Sequence, residues 1–238
     1  MKLKKEFTNV STLYAVALLG MFTFLFLGTE YMYVNMLSLT AGEEKTVIAQ
    51  NYALGFSAVG FFLYPPVHRL LKRGARDVLL AVLALVAVGC NVLIQRHTSY
   101  ASTMLSGMTL FLVLGLLGSL IHYLFWSLVV DRDCLARLVG LSYGLGILLQ
   151  FVNNNLAGLQ SLEAWILSAS MLGILAMLPK AETLSCELPM ENHSQEKASR
   201  KQVASGVLLM LLIVLMACIF STLDNAVTLR HGADANIG

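Results

Sequence analysis

LYAVALLGMFTFLFLGTEYMYVNMLSL, residues 13–39, decides what kind of molecule this is. A helix needs about 20 mostly apolar residues to cross the hydrocarbon of a bilayer, and this run exceeds that with Thr23, Glu30 and Asn35 as its notable polar members. Lys2, Lys4 and Lys5 precede it, as in a secretory leader. A leader core spans roughly 7–15 apolar residues and ends at a small-x-small cleavage site, and this run is too long and has no such site. It reads as an uncleaved first span.

Six further apolar blocks follow, at 47–63, 78–94, 104–130, 138–159, 164–178 and 206–227. In lipid every backbone polar group must be satisfied within the segment or its closed sheet, and the alternation of a membrane barrel is absent, so these blocks predict helices. Composition agrees. Hydrophobic residues make up 57% of the 238 positions and charged residues 13%, against about 25% charged in soluble domains. The predicted class is an all-α integral membrane protein. Cys90, Cys134, Cys186 and Cys218 have no paired spacing, so neither a disulfide framework nor a metal site is predicted.

Lys and Arg are distributed unevenly across the alternating loops. With the N-terminus in the cytoplasm, 13 of the 16 lie inside and only Lys45, Arg96 and Arg230 outside. That is the positive-inside pattern of a multi-pass cell-membrane protein. Pro65-Pro66 is predicted to end span 2, because proline removes helical donors. Trp126, Trp165 and Tyr100 fit interfacial belts. From Pro179 to Val203 the chain is polar, mixed in charge and poor in aromatics, as a cytoplasmic linker would be. The predicted organisation is a six-span bundle over 1–179, a linker over 180–203, and a seventh span with a short external tail over 204–238.

Polar residues concentrate on particular spans. Span 4 carries Ser106, Ser119, His122 and Ser127, and span 5 carries Gln150, Asn153, Asn154 and Asn155. Spans 3 and 6 are nearly free of them. Polar side chains are costly in hydrocarbon, so spans 1, 4 and 5 are predicted to line an interior while 3 and 6 face lipid. Gly140 and Gly144 form a GxxxG on span 5, and Gly115 and Gly118 lie on one side of span 4, both suited to close helix approach.

Six spans, a polar cytoplasmic linker and another span resemble the major facilitator superfamily, whose members join two six-helix halves by a cytoplasmic loop. Lys72-Arg73-Gly74-Ala75-Arg76-Asp77 is similar to that family's basic loop between spans 2 and 3. Lys72, Gly74 and Arg76 match in kind, while Leu71 stands where the family has Asp. An ordinary positive-inside loop would also read this way. Arg137 through Gly144 resembles the family's entry to span 5, without the proline-bearing signature of its antiporter subgroup. Phe26-Leu-Gly-Thr-Glu30 is echoed by Phe220-Ser-Thr-Leu-Asp224 at matching depth in span 7, as a parallel repeat implies. The resemblance implies alternating-access transport of a small solute. The chain covers one half of such a protein plus one helix, so it reads as a truncated frame or fragment, completed by a complementary half or by self-association.

Glu30 is the leading site residue, because an ionisable group within a span is functional by default. A carboxyl held away from water can load and release a proton. Thr23 and Tyr33 share its helical face. The competing reading places Glu30 at the outer interface. His122 lies nearer the cytoplasm, which separates it from Glu30, and it reads as bonded to a neighbouring helix. Gln150, Asn153 and Asn154 could bind a polar solute or join helices. The candidate pathway is therefore Glu30, Tyr33, Gln150, Asn153, Asn154 and Asp224, with Lys72, Gly74 and Arg76 in the loop. No phosphate loop, nucleophile elbow or zinc helix occurs, so no enzyme, cofactor or nucleic-acid partner is predicted. A membrane sensor or anchor for a signalling domain is the rival class.

The charge asymmetry generates a topology test. In a background lacking native cysteines, a membrane-impermeant maleimide applied outside intact cells should label Glu43→Cys and leave Glu191→Cys unlabelled.

Overall fold

The computed structural model describes residues 9–96, 98–129, 134–156, 160–187 and 208. Within them the chain forms six helices: α1 (Val10–Ser38), α2 (Glu43–Leu70), α3 (Arg73–Arg96), α4 (Tyr100–Leu128), α5 (Leu135–Leu156) and α6 (Gln160–Glu187). All six are long and apolar enough to cross a membrane. The block at 206–227, including Asp224, and the linker beyond Glu187 lie outside the described residues.

Polar caps set two of the helix starts. Asn9 Oδ1 accepts from the Ser11 amide at 3.1 Å, and Ser99 Oγ accepts from the Ser102 amide at 3.3 Å. Each satisfies an amide that the first turn would leave without a partner.

Two boundaries differ from the sequence reading. Pro65 and Pro66 lie inside α2, which continues to Leu70. Each proline removes one donor, but the turn beyond them closes again through Leu71 N–H to the Val67 carbonyl at 3.0 Å. Pro179 likewise lies inside α6, which runs eight residues into the segment read as linker. Ala181 and Glu182 are buried there, and Glu182 pairs with Arg76 at 3.2 Å, so tertiary contact holds the extra turns.

Successive helices alternate in direction. Tyr14, early in α1, donates to the Met177 carbonyl late in α6, while Asn91, late in α3, donates to the Ala164 carbonyl early in α6. Most of the membrane-length stretch of α1 and of α4 is buried, and less than half of each of the other four is. The most extensive pairings are α2 with α4 and α1 with α5, followed by α3 with α4, α1 with α4 and α1 with α6.

Glycines set two close crossings. A Cβ on Gly60 would overlap the Leu112 backbone carbonyl, and one on Gly115 would overlap that of Ser57. The α2 and α4 backbones therefore meet at a reciprocal pair of glycines. Between α1 and α5 the same device recurs, with Gly20 against Ser142 and Leu145 and Gly146 against Thr23 and the Gly20 carbonyl. Advancing each helix number by three, and returning from six to one, converts the α2–α4 crossing into the α5–α1 crossing. The same shift exchanges α3–α4 with α6–α1 and maps α1–α4 and α3–α6 onto themselves. The α1–α2 contact has no equally extensive α4–α5 counterpart.

α3 and α6 flank the α1–α4 centre, and their membrane-length stretches are somewhat more buried than those of α2 and α5. Their polar residues face each other: Asn91 Nδ2 donates to Ser168 Oγ at 2.8 Å as well as to the Ala164 carbonyl at 3.1 Å. Residues of spans 1, 4 and 5 border internal cavities as predicted, and α2, which the prediction left out, borders them too.

Gly140 and Gly144 meet nothing within 4 Å, so the GxxxG of span 5 is not a packing seam among the described residues. A pair of contrasting substitutions follows. Gly60→Ala and Gly115→Ala should each destabilise by about 1–3 kcal/mol, because backbone must shift to admit the methyl. Gly140→Ala and Gly144→Ala should cause no such loss. Melting temperatures of the four variants in detergent check this.

Candidate functional site

α1 carries Glu30 about two-thirds of the way along its length, half-buried, facing the gap between α2 and α5. Glu30 Oε1 accepts from Gln50 Nε2 of α2 at 2.9 Å. On the opposite wall, Gln150 Nε2 of α5 donates to Asn154 Oδ1 at 2.7 Å. Gln150 lies against Gly28, where a Cβ would come 2.7 Å from its Oε1, so the glycine admits the amide to the α1 surface. Gln150 Oε1 is itself buried without a hydrogen-bond partner among the described residues. These side chains border a cavity of about 460 Å³ whose mouth reaches Ser38, Glu43 and Thr46.

A second cavity, of about 580 Å³, continues from the first toward the N-terminal end of α1, and Leu27 borders both. Its walls are Phe22 and Phe26 of α1, Phe61 and Phe62 of α2, and Tyr143 and Ile147 of α5, with His122 of α4 at its floor. His122 Nδ1 is 2.7 Å from the Gly118 carbonyl, which can only accept, so Nδ1 carries a proton. In the neutral ring Nε2 then accepts from the Tyr143 hydroxyl at 3.1 Å. Phe22 and Phe61 flank the imidazole edge-on, with centroids 6.2 and 5.8 Å away. His122 is thus bonded to a neighbouring helix, and Glu30 occupies a different cavity, as their depths predict.

The other predicted positions separate. Tyr33 is 0% exposed, sits against Gly107 and Phe111, and directs its hydroxyl to the Met104 carbonyl at 3.5 Å. It is a packing residue between α1 and α4, away from the cleft. Asn154 lines the cleft. Asn153 is buried, and both its amide atoms are without hydrogen-bond partners among the described residues. Asp224 lies outside the described residues. In the loop set, Lys72 is exposed, Gly74 meets nothing within 4 Å, and Arg76 engages Glu182.

Gln50, Thr46 and Phe61 are site residues that the sequence reading passed over. Gln50 was visible as a polar residue within an apolar block, but nothing in the block says which helix faces it. Among the described residues no group of three or more His, Cys, Asp or Glu could hold a metal ion.

Compared with known proteins, the chain matches no family model, no curated protein and no solved structure.

The loop residues give a direct contrast. Arg76 and Glu182 are only 12% and 11% exposed, so Arg76→Ala strands a carboxylate with reduced compensation. It should destabilise by about 3 kcal/mol, whereas Lys72→Ala should stay within about 0.5 kcal/mol. Thermal melts in detergent separate the two.

Proposed function

We propose that the chain is a membrane transporter of the major facilitator type, its six helices forming one bundle of an alternating-access carrier for a small organic solute. One observation carries this reading. A cleft runs along α1 between α2 and α5, and it places a carboxylate, Glu30, and two amides, Gln50 and Gln150, within the length of helices able to span a membrane, with Asn154 near the end of α5. Such groups are costly in hydrocarbon and typically mark solute or ion pathways. Packing that repeats after three helices supports the same reading, because inverted repeats of three helices are nested in each half of these transporters.

In this reading the bundle sits in the cell membrane with its N-terminus in the cytoplasm. A second bundle, from further sequence or another copy, faces α2 and α5 and completes the cavity. Rocking of one bundle against the other would then expose Glu30 and its amide neighbours to each side in turn.

The path is tested by accessibility and flux together. In a cysteine-free background, Gln50→Cys should react with a membrane-impermeant maleimide, while Leu85→Cys, on the outer face of α3, should not. In proteoliposomes screened with radiolabelled amines, sugars and amino acids, labelling at position 50 should abolish whatever uptake the unlabelled protein supports. Reaction without any effect on uptake would remove the cleft as the transport route.

A further inference from the structure

The two cavities differ in chemistry and adjoin. The wider one presents four phenylalanines, Phe22, Phe26, Phe61 and Phe62, with Thr23, Ser57, Tyr143 and His122 as its polar members. The narrower one is bordered by two carboxylates, Glu30 and Glu43, and by no lysine or arginine. Among the described residues, Glu30 has a hydrogen bond from Gln50 but no ion pair. A partly buried carboxylate is stabilised by a cation within a few ångströms, and none of the described residues bordering the cavity supplies one. The amides of Gln50, Gln150 and Asn154 can orient a polar head but do not neutralise charge.

Resting on the transporter reading above, we infer that the cleft binds an amphipathic organic cation. Its ammonium or amidinium group sits against Glu30, among the amides, and its apolar or aromatic body lies between Phe22, Phe26, Phe61 and Phe62. The volumes of about 460 and 580 Å³ adjoining at Leu27 suit one elongated ligand, since pockets for drug-sized molecules run from roughly 300 to 1,000 Å³. Charge selects the ligand at one end, and apolar burial supplies affinity at the other. The phenylalanine faces also attract a cation passing over them. Among the described residues no lysine or arginine borders either cavity to pair with an anionic solute.

Dansylcadaverine, an aromatic fluorophore on a chain ending in a primary ammonium, tests this against its N-acetylated derivative, which keeps the body and loses the charge. Binding is read by fluorescence anisotropy with the full chain in phosphatidylcholine nanodiscs. The wild-type protein should bind the ammonium probe at least tenfold more tightly than the acetylated one. Glu30→Gln, which preserves volume, should remove that preference while retaining affinity for the acetylated probe, and the retained affinity shows that the variant is folded. Phe61→Ala should weaken both probes by a similar factor.

Equal affinity of the wild type for the two probes overturns the inference, as does a charge preference that survives in Glu30→Gln. Adding phosphatidylethanolamine to the nanodiscs should change the affinity by less than twofold. A tenfold loss would make a lipid headgroup the occupant and overturn the assignment of a soluble ligand. Saturable, charge-selective binding without uptake in proteoliposomes would remove the transport reading and leave the binding site standing.

Discussion

In hydrocarbon a leucine gains little by touching another leucine instead of a lipid tail, so helices associate where their backbones can come close. The bundle depends on this constraint. Gly60 and Gly115 join α2 to α4, and Gly20 and Gly146 join α1 to α5. At each crossing the helix surface is lowered on both partners, and backbone and small side chains meet directly. α1 and α4 then pack together as the buried centre, and α3 and α6 close the back. There Asn91 Nδ2 donates to Ser168 Oγ and to the Ala164 carbonyl.

The cleft is a by-product of that arrangement. α2 is committed to α4 and α5 to α1, and neither has more than marginal contact with the other. The surface of α1 between them is consequently uncovered, and Glu30 stands on it. Gln50 reaches Glu30 from one wall, while Gln150 and Asn154 pair on the other. Toward the N-terminal end the same groove becomes aromatic. The gradient from carboxylate and amide to phenylalanine follows from which residues four helices happen to turn toward one gap, so it crosses element boundaries that no single sequence segment reveals.

That explains what could be read in advance. Span positions follow from the apolar blocks, because length and hydropathy are local properties. Helix ends were less legible: α6 passes Pro179 because Arg76 and a buried surface hold its last turns, a tertiary effect invisible in the linker's composition. Glu30 stood out because an acid in an apolar run is conspicuous by itself. Tyr33 was drawn in by spacing, yet three residues along a helix turn the side chain far enough to face α4 and Gly107 instead of the cleft. The GxxxG at Gly140 and Gly144 has the motif but no neighbour, whereas Gly60, with no such motif around it, makes one of the closest approaches. Spacing reports which glycines share a face; only the partner helix determines which of them is used.

Two lysine–tyrosine pairs lie at opposite ends of the bundle. Lys180 Nζ is 5.6 Å from the centre of the Tyr14 ring, and Lys45 Nζ is 5.9 Å from that of Tyr100. Tyr14 also bonds the Met177 carbonyl, and Tyr100 bonds that of Lys45, both at 3.1 Å. From Tyr14 to the far end of α1 is about 36 Å at helical rise. That exceeds the roughly 30 Å hydrocarbon layer and falls within the roughly 40–45 Å that includes the headgroups. In a bundle that spans the bilayer, rings and ammonium groups so placed would meet headgroups at both faces while the helices between them would not. Such a bundle would carry its own gauge of bilayer thickness. In a membrane of shorter or longer lipid tails, these two fixed belts oblige the helices to tilt or the lipid to deform around them.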